Sequence, residues 1–181
     1  MNTVQPIRDK EKIKDIAEYL GEKNERDRIM FGIGIYVGLR VSDILEFRIR
    51  DIRGKDGKIK DHVAIREIKT GKEKYFPINS NFKNDLAEYV EGKADREWLF
   101  PSRQGNGKNH ITRQRAYGII REAGEQFGLE NLGTHTMRKT FGYWHYQTHR
   151  DIATLQKIFN HSSPAVTMHY IGIDQEYMDK T

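Results

Sequence analysis

Six side chains in this sequence could together attack a phosphodiester without a metal ion. They are Arg40, Lys69, His135, Arg138, His161 and Tyr170, in that order along the chain. The reaction needs an attacking oxygen, cationic donors around the non-bridging oxygens and a proton for the leaving oxygen. Tyr170 offers a phenol. Its ordinary pKa is about 10, so attack near neutrality requires a base or strong positive charge beside it. Arginine is the best clamp in the absence of a metal, because it stays charged and presents a planar fork of donors.

Each residue alone has an ordinary explanation. Arg40 lies in Gly38-Leu39-Arg40-Val41-Ser42-Asp43, directly after an apolar stretch. That placement puts it at the rim of the core, with Asp43 three residues on to orient it. A helix-end arginine with a local ion pair reads the same way. His135 and Arg138 in His135-Thr136-Met137-Arg138 share a helical face near a helix N-terminus, which favours anions. A capped surface helix would look no different. Lys69 sits in a Lys-Thr-Gly turn, where Lys72 and Lys74 compete with it as a proton donor to a leaving alkoxide. His161 precedes a Ser-Ser-Pro helix start and suits either a phosphate contact or a polar loop. Tyr170 is one of nine tyrosines.

The bulk numbers set the frame. A chain of 181 residues suits one domain with a substantial core. Lysine and arginine total 31 against 26 acids, a net charge of +5 that weakly favours a polyanionic partner. The chain has no cysteine, which excludes disulfides, thiolate catalysis and cysteine-ligated zinc. His145 and His149 have metal-pair spacing, but no glutamate follows His145 and no third ligand is evident, so packing or a groove-facing role is expected. The sequence contains no P-loop, dinucleotide fingerprint or acidic magnesium cluster. The apolar stretch from Ile29 to Leu39 is too short to span a bilayer and reads as a buried helix.

Helices dominate the pattern. Asp9 caps a first helix with Ile13, Ile16, Ala17 and Leu20 inward, ended by Gly21. A central helix follows from Glu25 to Val37, broken by Gly38, and Val41, Ile44 and Leu45 begin a short third. Between Arg48 and Ile78 the pattern turns to strands. Asp56-Gly57 signals a hairpin, His62 to Ile68 alternates, and Tyr75-Phe76 leads a strand to Pro77, giving a small antiparallel sheet of two or three strands. Helices resume with Phe82, Leu86, Tyr89 and Val90, then Ala116, Ile119, Ile120, Ala123 and Phe127. Thr134 is expected to cap the helix carrying His135 and Arg138. Asp151 caps the next, and Ser163-Pro164 opens a short helix reaching Tyr170. Residues 171–181 read as a polar tail. The fold class is mainly α with a small antiparallel sheet (α+β).

Taken in order, these motifs resemble the tyrosine recombinase (phage integrase) family, over essentially the whole chain from Gly38-Leu39-Arg40 to Thr167-Met168-His169-Tyr170. The resemblance implies the integrase catalytic-domain fold and a site-specific recombinase that works without cofactor, ATP or metal. Tyr170 would attack the scissile phosphate to form a 3′-phosphotyrosyl link. Arg40 and Arg138 would hold the non-bridging oxygens and Lys69 would protonate the leaving 5′-oxygen. His135 would act as acid or base, His161 would donate to phosphate, and Asp43 would support the site. The implied partners are double-stranded DNA, three further protomers in a tetramer on DNA, and accessory DNA-bending proteins; the free protein is expected to be a monomer. The implied location is the cytoplasm of a bacterium, at the nucleoid.

Two departures stand out. The family usually has glycine before its last histidine, where this chain has Asn160, a residue that tolerates left-handed backbone. Most members also carry an N-terminal core-binding domain, whereas residues 1–181 read as the catalytic domain alone. A DNA-binding regulator on an inactive scaffold and a type IB topoisomerase-like nicking and resealing enzyme are the competing functions.

Overall fold

The computed structural model describes residues 4–66 and 73–174, and Lys69 lies outside them. The fold is mainly helical with one small antiparallel sheet. In chain order the elements are α1 (Lys10–Lys23), α2 (Glu25–Val37), α3 (Val41–Leu45), α4 (Ile49–Ile52), β1 (His62–Arg66), β2 (Glu73–Pro77), α5 (Ser80–Val90), α6 (Arg113–Gln126), α7 (Thr136–His149), α8 (Ile152–Phe159) and α9 (Pro164–Tyr170).

Local chemistry sets most boundaries. The Asp9 carboxylate accepts from the Glu11 amide at 2.9 Å and starts α1. Gly21 does not end that helix. It continues to Lys23, and Asn24 makes the elbow by capping both helices: its amide donates to Leu20 and its side chain accepts from Arg26. Glycine at 21 gives room instead, since a Cβ there would lie 2.9 Å from Arg28 Cδ on α2. Interior helical glycine costs about 1 kcal/mol relative to alanine, which weakens a helix without stopping it.

Helix α2 is buried on nearly every side and organises the molecule, packing on α1, α5, α6 and α7. Its contact with α7 is especially close. A Cβ at Gly34 would lie 2.6 Å from Met137 Sδ, and one at Gly38 would lie 2.2 Å from Phe141 Cδ1. Gly38 also needs φ of 73°, the left-handed turn that ends α2 and swings the chain into α3.

The two strands pair antiparallel from His62 opposite Pro77 to Arg66 opposite Glu73, with Val63 and Phe76 turned into the core. The Asp56-Gly57 turn closes, but as a single bridge between Arg53 and Ile59 rather than a third strand. Helix α4 occupies part of the segment expected to be extended. The Asp51 carboxylate accepts from the Arg48 amide at 2.7 Å and closes that short turn.

Two apolar clusters result. The larger gathers α1 to α6 with the sheet and Met137. The smaller holds Tyr143, Leu155, Phe159, Ile171 and Ile173 beneath α8 and α9. Ile171 and Ile173 are buried, so the segment expected to be a polar tail begins inside the molecule. Two isoleucines two residues apart are too short a signal to reveal this by periodicity. No helix among the described residues is long and apolar enough to cross a membrane.

Candidate active site

The tight α2–α7 contact brings the two arginines together. Arg138, on the first turn of α7, is 4% exposed and donates from Nη1 to the carbonyl of Gly38 at 2.7 Å. Its guanidinium also lies 4.4 Å from the centre of the Phe159 ring. Burial lowers its pKa to about 10, and the neighbouring Arg40 lowers it too, while Tyr170 and Asp43 favour its charge. It remains a cation at neutral pH. Arg40, two residues beyond Gly38, occupies the N-cap position of α3 with its side chain exposed. Asp43 is half-buried; burial raises its pKa, and Arg40 and Arg138 act in the opposite direction.

His135 stands just before α7, not within it. Thr134 does not cap that helix. The chain turns through a hydrogen bond from the Thr136 amide to the Gly133 carbonyl, and the Thr136 hydroxyl accepts from the Gly133 amide at 3.0 Å. After this turn the His135 Nδ1 lies 3.5 Å from the Tyr170 hydroxyl. Partial burial, then Arg113, Lys139, Arg138 and Arg40, hold its pKa below the ordinary histidine value. A neutral imidazole can accept a proton from a phenol.

Helices α8 and α9 present the remaining pair. Asp151 caps α8 through the Thr154 amide at 3.0 Å, and Asn160 ends it with φ of 58°. Asparagine therefore takes the left-handed position here, as its backbone tolerance allows. His161 follows, its Nδ1 3.1 Å from the Thr167 hydroxyl. Burial, Arg138 and Arg40 lower its pKa. Ser163 caps α9 through the Val166 amide at 3.2 Å with Pro164 in the first turn, and Tyr170 is the last residue of that helix. The phenol ring meets His161 edge-on at 4.9 Å and Phe159 at 5.4 Å. Burial raises the phenol pKa, while Arg138 and Arg40 pull it down.

Arg40, Asp43, His135, Arg138, His161 and Tyr170 thus converge on one face from four parts of the chain. The result is a phenol in the field of two guanidinium groups, with two imidazoles beside it. Three neighbours were not among the candidate site residues. Lys139 holds its Nζ 5.1 Å from the Tyr170 ring centre; Phe159 packs against Arg138, His161 and Tyr170; and Thr167 fixes His161. His145 and His149 stack at 4.7 Å outside this group, and no cluster of three or more metal-ligating side chains exists among the described residues.

Comparison with known proteins places this arrangement. The model of the phage integrase family matches residues 8–176. The chain belongs to the phage integrase family. A probable integrase/recombinase, YoeC of Bacillus subtilis (strain 168), is 46% identical over 97% of this chain and 93% of its own length. The tyrosine recombinase XerA of Pyrococcus furiosus is 24% identical over 93% of this chain, which spans 57% of that relative. Among solved structures, XerA recombinase superposes with a TM-score of 0.72 at 19% identity, covering 99% of this chain and 65% of that one. The XerH site-specific recombinase bound to palindromic difH substrate gives 0.73 at 20% identity, covering 99% and 53%. The fold is accordingly that of the tyrosine recombinase catalytic domain. This integrase domain spans most of the Bacillus relative but only 53% to 65% of the XerA and XerH chains.

Proposed function

We propose that this integrase cleaves and rejoins DNA strands through a 3′-phosphotyrosyl intermediate, as a site-specific recombinase. The observation that carries the reading is the phenol of Tyr170 set 3.5 Å from a neutral-leaning His135, in the field of Arg138 and Arg40. His135 takes the phenol proton as the Tyr170 oxygen bonds to phosphorus. Arg40 and Arg138 hold the non-bridging oxygens as negative charge grows there, and His161 adds a hydrogen bond. The bond to the 5′-oxygen breaks, and Lys69 supplies the proton that leaves with it. Asp43 balances the paired arginines. Rejoining reverses these steps: a 5′-hydroxyl from the same or a second duplex attacks phosphorus and the phenol departs. The phosphotyrosyl bond conserves the energy of the broken strand, so neither ATP nor metal enters.

Double-stranded DNA is the partner this reading requires. The family's relatives include XerH bound to its difH substrate and a Tn1549 transposon integrase in complex with transposon right end DNA. For exchange between two sites we propose four copies on DNA, and separately that the free protein is a monomer.

The test uses duplexes with a nick beside a randomised segment, so that cleavage near the nick releases a short strand and traps the adduct. The wild type gives an SDS-resistant protein–DNA adduct and Tyr170→Phe gives none. An adduct that survives Tyr170→Phe removes the assigned nucleophile. Duplex binding without any adduct favours a regulator on the same scaffold. Nicking and resealing without exchange between duplexes favours the topoisomerase-like reading.

A further inference from the structure

The segment from Val4 to Arg8 crosses the base of α7 and reaches the nucleophile helix from two directions. The Ile7 amide donates to the Thr140 hydroxyl at 2.8 Å, and Trp144 Nε1 donates to the Ile7 carbonyl at 3.1 Å. These two bonds fasten the segment to α7. On one side of them, Arg8 Nη2 donates to the carbonyl of Gly172 at 2.9 Å. On the other, Lys139 Nζ donates to the Val4 carbonyl at 2.8 Å while lying over the Tyr170 ring.

Gly172 is two residues past Tyr170, in the turn that closes α9. The Ile171 amide donates to Thr167 and the Gly172 amide to His169, both at 3.1 Å. Gly172 has φ of 75°, and a Cβ there would lie 2.9 Å from Arg8 Nη2. Glycine therefore permits both the turn and the approach of the guanidinium. The ammonium of Lys139 is largely buried and reaches no carboxylate among the described residues; a backbone carbonyl and an aromatic ring are what hold it.

We propose that Arg8 and Lys139 are positioning residues for Tyr170, Arg8 by anchoring the end of α9 and Lys139 by bracing the ring. The inference rests on Tyr170 being the nucleophile. Both side chains spend their hydrogen bonds on backbone carbonyls, Arg8 on Gly172 and Lys139 on Val4. Both act through the placement of the phenol relative to Arg138 and His135, where a displacement of about 1 Å can cost on the order of a hundredfold in rate.

The test follows the Tyr170 resonance by 19F NMR in full-length chain labelled with 3-fluorotyrosine, assigned by its loss in Tyr170→Phe. The rate of adduct formation at saturating nicked duplex and the dissociation constant for that duplex are measured beside it. Arg8→Ala and Lys139→Met are each expected to move the resonance and slow the saturated rate by roughly tenfold or more, with the dissociation constant little changed. Arg8→Lys is expected to recover part of the rate. Arg121→Ala, which removes an exposed ion pair with Glu125, is the control. A resonance and rate in Arg8→Ala and Lys139→Met that match the control overturn the proposal. If the wild type forms no adduct, the recombinase reading fails by itself, and the resonance still decides the positioning. If Arg8→Ala does not fold, Arg8→Lys and Lys139→Met decide by the same criterion.

Discussion

The guanidinium of Arg138 donates to the carbonyl of Gly38 at 2.7 Å, joining residues 100 positions apart. One bond links the end of α2 to the start of α7, and Arg40 stands two residues beyond it. The Arg138 side chain is thereby tied to the backbone turn that leads into Arg40.

Gly38→Ala is expected to destabilise the fold by about 2–4 kcal/mol, measured by urea unfolding. The substitution demands a left-handed alanine and drives its Cβ against Phe141. It also displaces Arg40 from Arg138, so adduct formation falls further than the folded fraction does.

Arg138→Lys keeps a charge but cannot both hold the Gly38 carbonyl and present a fork to phosphate. The saturated rate of adduct formation should fall by roughly two to three powers of ten, with duplex affinity changing far less.

Asn160 is the reverse case. At φ of 58° asparagine is tolerated, glycine is unstrained and alanine is not. Asn160→Gly should leave stability within about 0.5 kcal/mol of the wild type or raise it, and Asn160→Ala should cost roughly 1 kcal/mol in denaturant melts.

The acid limb of the pH profile follows from the histidines. His135 and His161 are both held below the ordinary value of 6.5, chiefly by burial and then by nearby cations. Below that value the unfolded chain takes up protons first, so folding stability drops as pH falls from about 6.5 through the lower folded values. The rate of adduct formation should decline at lower pH, through the depressed value of His135 in the folded protein, as His135 loses its capacity to accept the phenol proton. His161→Gln should flatten the stability profile while leaving the acid limb of the rate in place; a stability profile unchanged by His161→Gln would contradict the burial assigned to that ring.

Much of this architecture was legible in the residues. Apolar periodicity gave the helices, and Asp9, Asp151 and Ser163 cap as expected because each is a short acceptor just ahead of an apolar run. The order of Arg40, His135, Arg138, His161 and Tyr170 singled out residues that the fold brings together. Other features depend on contacts that lie far apart in sequence. Gly21 reads as a stop, yet it makes room for Arg28. Thr134 has the chemistry of a cap, but the turn at Gly133 gives the helix start to Thr136. Lys139 looks like a surface residue beside Arg138 until Val4, 135 positions away, covers it. Lys69 falls outside the described residues, so its placement rests on the sequence alone.

The small cluster of Tyr143, Leu155, Phe159, Ile171 and Ile173 has a consequence for how the molecule opens. Arg138 bridges the two clusters, holding the Gly38 carbonyl and packing on Phe159, whereas α9 is seated on the smaller one. Its local opening free energy is therefore smaller than that of α2, and amide hydrogens in α9 should exchange faster than those of α2. The helix that carries Tyr170 can therefore loosen while the Gly38–Arg138 link between α2 and α7 holds.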